Sequence, residues 1–382
     1  MVSERARGVE PFIAMDVLER ASRMDDVVHL EVGEPDFDPP EAVFDAAVDS
    51  LRAGNTDYTA ARGKPELRSA IADRYDRVYG VDVDPGRIIV TPGSSPGLLL
   101  AVATLLDPGE ELLLTDPHYA CYPNFVRTVS GTVSTVPLRA SEGFQPRVAD
   151  FEATMGSQTE GVLVNSPANP TGAVLDGDAL SALVETAHAN DVTVVADEIY
   201  HGLSYDVTEH TVLEYTDDAF VLDGFSKRYG MTGWRLGWLV APDWAVDAVN
   251  RLAQNLLICA PNFVQDAGVA ALETDDGERL DAIRETYRER RDILLDAVRS
   301  WGLDAGYTPS GAYYLLVDVS DLPGDSLDVA DLFLEDAGVA VTPGVDFGER
   351  AADYVRLSYA TDTEAIREGV RRIERLLETL DR

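Results

Sequence analysis

Gly224-Phe-Ser-Lys-Arg-Tyr-Gly-Met-Thr-Gly-Trp-Arg-Leu-Gly-Trp238 follows directly on an apolar run, Phe220-Val-Leu-Asp223. The stretch is dense in glycine and small hydroxyls, which lets backbone and hydroxyl groups come close to an anionic ligand. A second apolar run, Leu236-Gly-Trp-Leu-Val240, closes it. Working outward, the same texture repeats. Arg87-Ile-Ile-Val90 reads as a strand ending at Thr91-Pro-Gly93, and a helical run spans Gly97 to Leu106. Glu111 to Thr115 and Thr132 to Val136 are strand-like. Gly161-Val-Leu-Val-Asn165 and Val192-Thr-Val-Val-Ala196 are near-continuous apolar runs, as expected of strands covered on both faces. Strand, helix and strand in alternation argue for an α/β fold with a mostly parallel sheet.

Beyond about residue 270 the pattern changes. A charged helix runs from roughly Gly277 to Trp301, a strand from Ala312 to Val319, a helix from Leu327 to Ala337 and a strand from Tyr354 to Tyr359. A last helix is expected to start at the capping-box pattern Thr361-x-x-Glu364, with Ile366, Val370, Ile373, Leu377 and Leu380 on one face. These elements read as a smaller α+β domain, 271–382, beside a large domain, 46–270. The turn-rich N-terminal segment, 1–45, with Gly33-Glu-Pro-Asp-Phe-Asp-Pro-Pro40, is expected to pack on the smaller domain.

Composition narrows the function. The 382 residues carry 68 acidic and 31 basic side chains, a net of −37. Such a chain repels nucleic acid and anionic membrane surfaces. No run approaches ~18 consecutive apolar residues, so no transmembrane helix is expected, and Met1 to Glu10 lacks the apolar core of a signal peptide. Cys121 and Cys259 lie far apart and form no metal-binding pattern, which fits a reducing, cytoplasmic setting. Acidity spread over the whole chain, with only two lysines among those 31 bases, suggests a halophilic protein built for high-salt cytosol. Arg stays protonated, whereas Lys can lose its proton and attack a carbonyl. The two lysines are therefore the informative ones. Lys64, in Arg62-Gly-Lys-Pro65, reads as a surface loop residue, since the proline makes the backbone before it extended or turning. Lys227 lies in the opening stretch, eight residues before Arg235. A Lys nucleophile beside an Arg that can hold phosphate suits a phosphorylated aldehyde bound as a Schiff base.

Further motifs surround that pair. Gly93-Ser-Ser-Pro-Gly97 joins a strand to a helix, where free N–H groups make an anion site. Asn169-Pro-Thr-Gly172 follows a buried strand, and also reads as an ordinary turn. Asp197-Glu-Ile-Tyr200 lies at the end of a strand, where open α/β sheets place ligand contacts; Asp197 reads equally as a helix cap or an ion-pair partner. Arg356, in Tyr354-Val-Arg-Leu-Ser-Tyr359, interrupts a strand otherwise built for packing, and a guanidinium can grip a carboxylate through two parallel hydrogen bonds.

Taken in order, these motifs resemble the fold-type I, class I/II aminotransferases that use pyridoxal 5′-phosphate, and the resemblance covers nearly the whole chain. It implies that Lys227 binds the cofactor and then serves as general base. Asp197 would face the pyridine nitrogen, and Asn169 and Tyr200 the phenolic oxygen. Ser94, Ser95, Ser226 and Arg235 would hold the phosphate, and Tyr119, in Asp116-Pro-His-Tyr119, would stack on the ring. Arg356 would take the substrate α-carboxylate, with Gly33 and Asn169 close by. Tyr58 would cross to the partner subunit's phosphate, which implies a homodimer with shared sites. Many relatives have Ser where this chain has Gly224, so Gly224 is given no binding role. The implied reaction moves the amino group of an aspartate-, alanine- or aromatic-type L-amino acid to a 2-oxo acid, with 2-oxoglutarate the expected acceptor. The alternatives are a pyridoxal-phosphate-dependent carbon–sulfur lyase, since the same residues serve both, and a non-enzymatic regulator, against which the absence of a basic helix-turn-helix pattern argues.

Overall fold

The computed structural model describes residues 2–274 and 277–380. Its strands, in chain order, are β1 (Val28–His29), β2 (Ile88–Thr91), β3 (Glu111–Asp116), β4 (Thr132–Pro137), β5 (Thr159–Asn165), β6 (Thr193–Asp197), β7 (Ala219–Gly224), β8 (Gly237–Val240), β9 (Tyr314–Asp318), β10 (Val339–Ala340), β11 (Thr342–Pro343) and β12 (Tyr354–Ser358). Seven of them form one sheet in the order β2-β8-β7-β6-β5-β3-β4. All its pairings are parallel except those of β8, which runs antiparallel to both β2 and β7.

Both faces of the central strands are covered, which is why β5 and β6 read as near-continuous apolar runs, while the edge strand β4 stays largely open. Alternate residues feed opposite cores. Val162 and Val164 pack with Leu67, Ile71, Leu183 and Val264 on one side, while Leu163 packs with Leu98, Val102, Val126 and Val249 on the other. A separate core belongs to the antiparallel sheet β11-β12-β9 and the helices Gly277–Ser300, Ser326–Ala337 and Thr363–Leu380. The N-terminal segment joins that second body. β1 pairs in parallel with β10, Val28 opposite Val339, and Val17 and Ala21 of the helix Ile13–Ala21 pack on Leu334 and Ala340.

Two expectations need correction. The last helix is capped by Asp362 rather than Thr361. The Asp362 carboxylate accepts from the backbone N–H groups of Glu364 (2.9 Å) and Ala365 (3.3 Å), so Glu364 falls one place too early for the expected box. Of its predicted face, Ile366, Ile373 and Leu377 are buried, whereas Leu380 is 40% exposed. Lys64, in turn, is no free loop residue. It stands at the start of the helix Pro65–Tyr79 with its amine 2.6 Å from Asp266, and its side chain is only 20% exposed. Among the described residues no helix is long and apolar enough to cross a membrane.

Candidate active site

A cavity of about 400 Å³ opens where three parts of the chain meet. The sheet brings Asn165 and Asp197 at the C-terminal ends of β5 and β6, together with the loop after β7. The N-terminal segment brings Phe12 to Leu18 and Glu31 to Glu34, and the second body brings Tyr314 and Arg356. Ligand contacts fall at this edge of an open α/β sheet because the connecting loops diverge there.

Lys227 projects into this space. Its amine donates to the Gly33 carbonyl at 2.6 Å and lies 5.7 Å from the ring centre of Tyr200. Burial, with the nearby Arg356 and Arg235 cations, pulls its pKa down to about 8 against the opposing pull of Glu34 and Asp197. A larger fraction of the amine is then neutral near neutral pH, as a nucleophile or base requires.

Asp197 is 8% exposed. Burial raises its pKa to about 6, while hydrogen bonds from the Tyr122 hydroxyl (2.8 Å) and the Ile199 N–H (3.2 Å), and the charge of Lys227, favour the carboxylate. At neutral pH it is an anion able to face a protonated nitrogen.

An anion cradle lies opposite. Gly93, at φ +92°, leads into the helix Ser94–Leu105, so the free N–H groups of the first turn and the two serines face outward. A Cβ on Gly93 would sit 2.4 Å from Arg235 Nη2, so only glycine allows the guanidinium this close to the helix start. Arg235 itself adopts φ +54° and donates to the Thr232 carbonyl at 2.8 Å. Ser226 is nearly buried on the same wall.

Arg356 on β12 is 3% exposed. It donates to Asn169 Oδ1 (2.9 Å), to the Glu31 carbonyl (2.6 Å) and to Thr342 Oγ1 (3.2 Å), while its Nε has no partner among the described residues. Since Asn169 Oδ1 is engaged, the amide NH2 is what Asn169 has left for a ligand. Tyr119 lines the cavity edge-on to Tyr122 and to Phe12. Tyr200 is buried, with its hydroxyl 2.9 Å from that of Tyr314.

The structure thus brings together Lys227, Asp197, Tyr200, Ser94, Ser95, Tyr119, Asn169, Ser226, Arg235, Gly33 and Arg356 around one cavity. Tyr58 stands apart, 82% exposed and away from this chain's own cavity. Gly224 lies against Gly237 and Leu236, a packing position. Sequence reading missed Tyr122, Asn165, Tyr313 and Tyr314. Tyr122 had one signal, three residues beyond Tyr119; Tyr313 and Tyr314 sit within or beside an apolar strand, where tyrosine reads as core, and Asn165 reads as the polar end of one.

Comparison with known proteins agrees with this geometry. The family described as aminotransferase class I and II matches residues 25–373. A valine–pyruvate aminotransferase of Mycobacterium tuberculosis is 39% identical over 373 residues, covering 96% of each chain. A (5-formylfuran-3-yl)methyl phosphate transaminase of Methanocaldococcus jannaschii is 35% identical over 99% of this chain and 100% of its own. The structure of the Thermus thermophilus aspartate aminotransferase with maleate superimposes with a TM-score of 0.94 at 36% identity, over 98% of this chain and 99% of the other. The chain belongs to the class I and II aminotransferase family. It is a pyridoxal-phosphate-dependent enzyme that transfers an amino group between an amino acid and a 2-oxo acid.

Proposed function

We propose that the enzyme takes L-amino acids with an apolar side chain, aliphatic or aromatic, and works as a cytoplasmic homodimer in a salt-rich cell. The observation that carries the substrate reading is the wall of the cavity. Phe12, Met15 and Leu18 from the N-terminal segment line the cavity together with Leu98, Phe125 and Arg356. Among the described residues that line it, the cations are Lys227, Arg235 and Arg356. Each is matched to another task, and Glu34, whose charge is felt at Lys227, would repel a second carboxylate. The name of the valine–pyruvate relative supports the same reading.

The residues fit pyridoxal phosphate. The Gly93–Arg235 cradle with Ser94, Ser95 and Ser226 suits a phosphate, Asp197 suits a pyridinium nitrogen, and Tyr200 and the Asn169 amide are donors for a phenolic oxygen. When bound, the cofactor supplies an electron sink for the pair left at the substrate's Cα. The chain's own part is to bind, orient and move a proton. Arg356 and Asn169 fix the α-carboxylate. Asp197 holds its partner nitrogen protonated. Lys227, neutral in part near pH 7, would take the proton from Cα and deliver it to the cofactor-side carbon that carries the amino nitrogen, the shift that amino transfer requires. Tyr58, exposed at 82%, is read as reaching the phosphate site of a second copy.

On the acceptor side the same wall favours a monocarboxylic 2-oxo acid such as pyruvate, with 2-oxoglutarate the competitor. A panel of donors (valine, leucine, phenylalanine, alanine, aspartate) against both acceptors tests the reading. Higher kcat/KM for the apolar donors is expected; a clear preference for aspartate with 2-oxoglutarate would refute it. Release of pyruvate, ammonia and thiol from cystathionine would instead mark lyase chemistry.

A further inference from the structure

Three residues with assigned tasks meet on one side chain that has none. Tyr314 opens β9 and is 1% exposed. Its hydroxyl lies 2.9 Å from that of Tyr200. The Arg356 guanidinium carbon sits 4.4 Å from its ring centre. A Cβ on Gly33 would fall 2.0 Å from its hydroxyl oxygen, so Gly33 is glycine to admit it.

Protons decide what this contact does. A phenol has one O–H to give. If Tyr200 donates to Tyr314, it has none left for a ligand. If Tyr314 donates to Tyr200, the Tyr200 proton is free to turn into the cavity. The arginine over the Tyr314 ring selects the second arrangement. A cation on the ring face stabilises electron-rich oxygen and makes that O–H the better donor. Burial raises the pKa of both hydroxyls and Arg356 lowers both, but at Tyr314 the guanidinium is second only to burial, whereas Tyr200 stands well above the ordinary tyrosine range through burial and its contact with Tyr314. Tyr313 gives its own proton to the Gly33 carbonyl at 3.0 Å, and its hydroxyl is also in hydrogen-bonding contact with that of Tyr314.

We infer that Tyr314 is a positioning residue for amino transfer: by donating to Tyr200 it aims the single Tyr200 proton at the ligand, and by stacking under Arg356 it ties that donor to the group that reads the substrate carboxylate. Binding a carboxylate at Arg356 then weakens the donor behind Tyr200, so substrate arrival is felt at the ligand oxygen. The inference rests on Tyr200 facing a ligand oxygen, as proposed above. The other titratable groups that face the pair are Tyr119, Tyr122, Tyr287, Tyr313, Tyr359 and Lys227.

The test is a pH titration of the visible absorbance of the enzyme loaded with pyridoxal phosphate, together with steady-state kinetics. Removing a donor from an anionic oxygen raises the pH at which the neighbouring proton is lost. Tyr314→Phe keeps the ring and loses the hydroxyl. It should move the midpoint up, but by less than Tyr200→Phe does, since Tyr200 keeps its proton and loses only the bond that polarises and aims it. Donor KM should stay within about twofold, because the surface under Arg356 is kept. Tyr314→Leu should show the same shift and also raise KM severalfold. Tyr200→Phe should shift the midpoint as well, and the double variant should shift it no further than Tyr200→Phe alone. An unmoved midpoint in Tyr200→Phe overturns the reading beneath the inference. A moved midpoint in Tyr200→Phe with an unmoved one in Tyr314→Phe, or strictly additive shifts, overturns the inference alone.

Discussion

Lys227 is held away from water by the same residues that make it useful. Its folded pKa, about 8, lies below the ordinary lysine value of 10.5. Between those limits the unfolded chain binds more protons than the folded one, so this group's contribution to the stability of the cofactor-free enzyme rises with pH from about 8 to 10.5 and is lost as pH falls through 8. A Lys227→Met variant should therefore gain most over the wild type at neutral pH, and the gap between their denaturant midpoints should close toward pH 10.5. A constant gap across that window would contradict the assigned burial. Lys227→Ala should lose both transamination and the visible absorbance of the loaded enzyme; retention of both would remove Lys227 from the reaction. At this scale the sequence was most readable where chemistry restricts the choice of residue. Lysine scarcity pointed to Lys64 and Lys227 alike, and only the glycine-rich neighbourhood separated them. Lys64 was misjudged because its partner, Asp266, lies 202 positions away, and no local pattern carries so distant a contact.

At the scale of elements, the helix Ile13–Ala21 governs one wall of the cavity while being fastened from elsewhere. It has no side-chain cap of its own. Instead the Asp346 carboxylate accepts from the backbone N–H groups of Ile13 (3.2 Å) and Ala14 (3.1 Å), occupying the orphan donors of its first turn. Asp346→Ala should cost about 1 kcal/mol, as the loss of a cap does. Because Met15 and Leu18 ride on this helix, donor KM should rise more than kcat falls; an unchanged KM would show that the wall is set by other contacts. Long apolar strands such as β5 and β6 were visible in the chain because burial on both faces leaves one consistent pattern. The two-residue β1 and β10 were not, since their pairing depends on where the second body returns. The Asp362 cap was missed by one residue because Thr361 and Asp362 are both good caps, and only backbone geometry chooses between them.

For the whole molecule the dominant quantity is charge. A net of −37 on 382 residues repels itself in the compact state. Salt shortens that repulsion, since the Debye length falls from about 10 Å at 0.1 M to about 3 Å at 1 M. The thermal midpoint should therefore rise between about 0.1 M and 1 M KCl, where screening tightens most; a midpoint that falls would refute the high-salt reading. Acidity was legible at once, but it speaks of solvent. The meeting of three distant segments at one cavity was legible only through the resemblance, because nothing local in Gly33 or Tyr314 announces that they touch.

The two lysines have one more consequence, in chemical selectivity. Pyridoxal phosphate is an aldehyde, and aldehydes condense with any accessible amine. Most proteins offer many such side chains. This one offers two, of which Lys64 is locked against Asp266 at 2.6 Å and Lys227 waits in the cavity. Nearly every side-chain encounter that captures the cofactor is therefore the productive one, and beside the α-amine even a large excess should load close to one side-chain equivalent per chain.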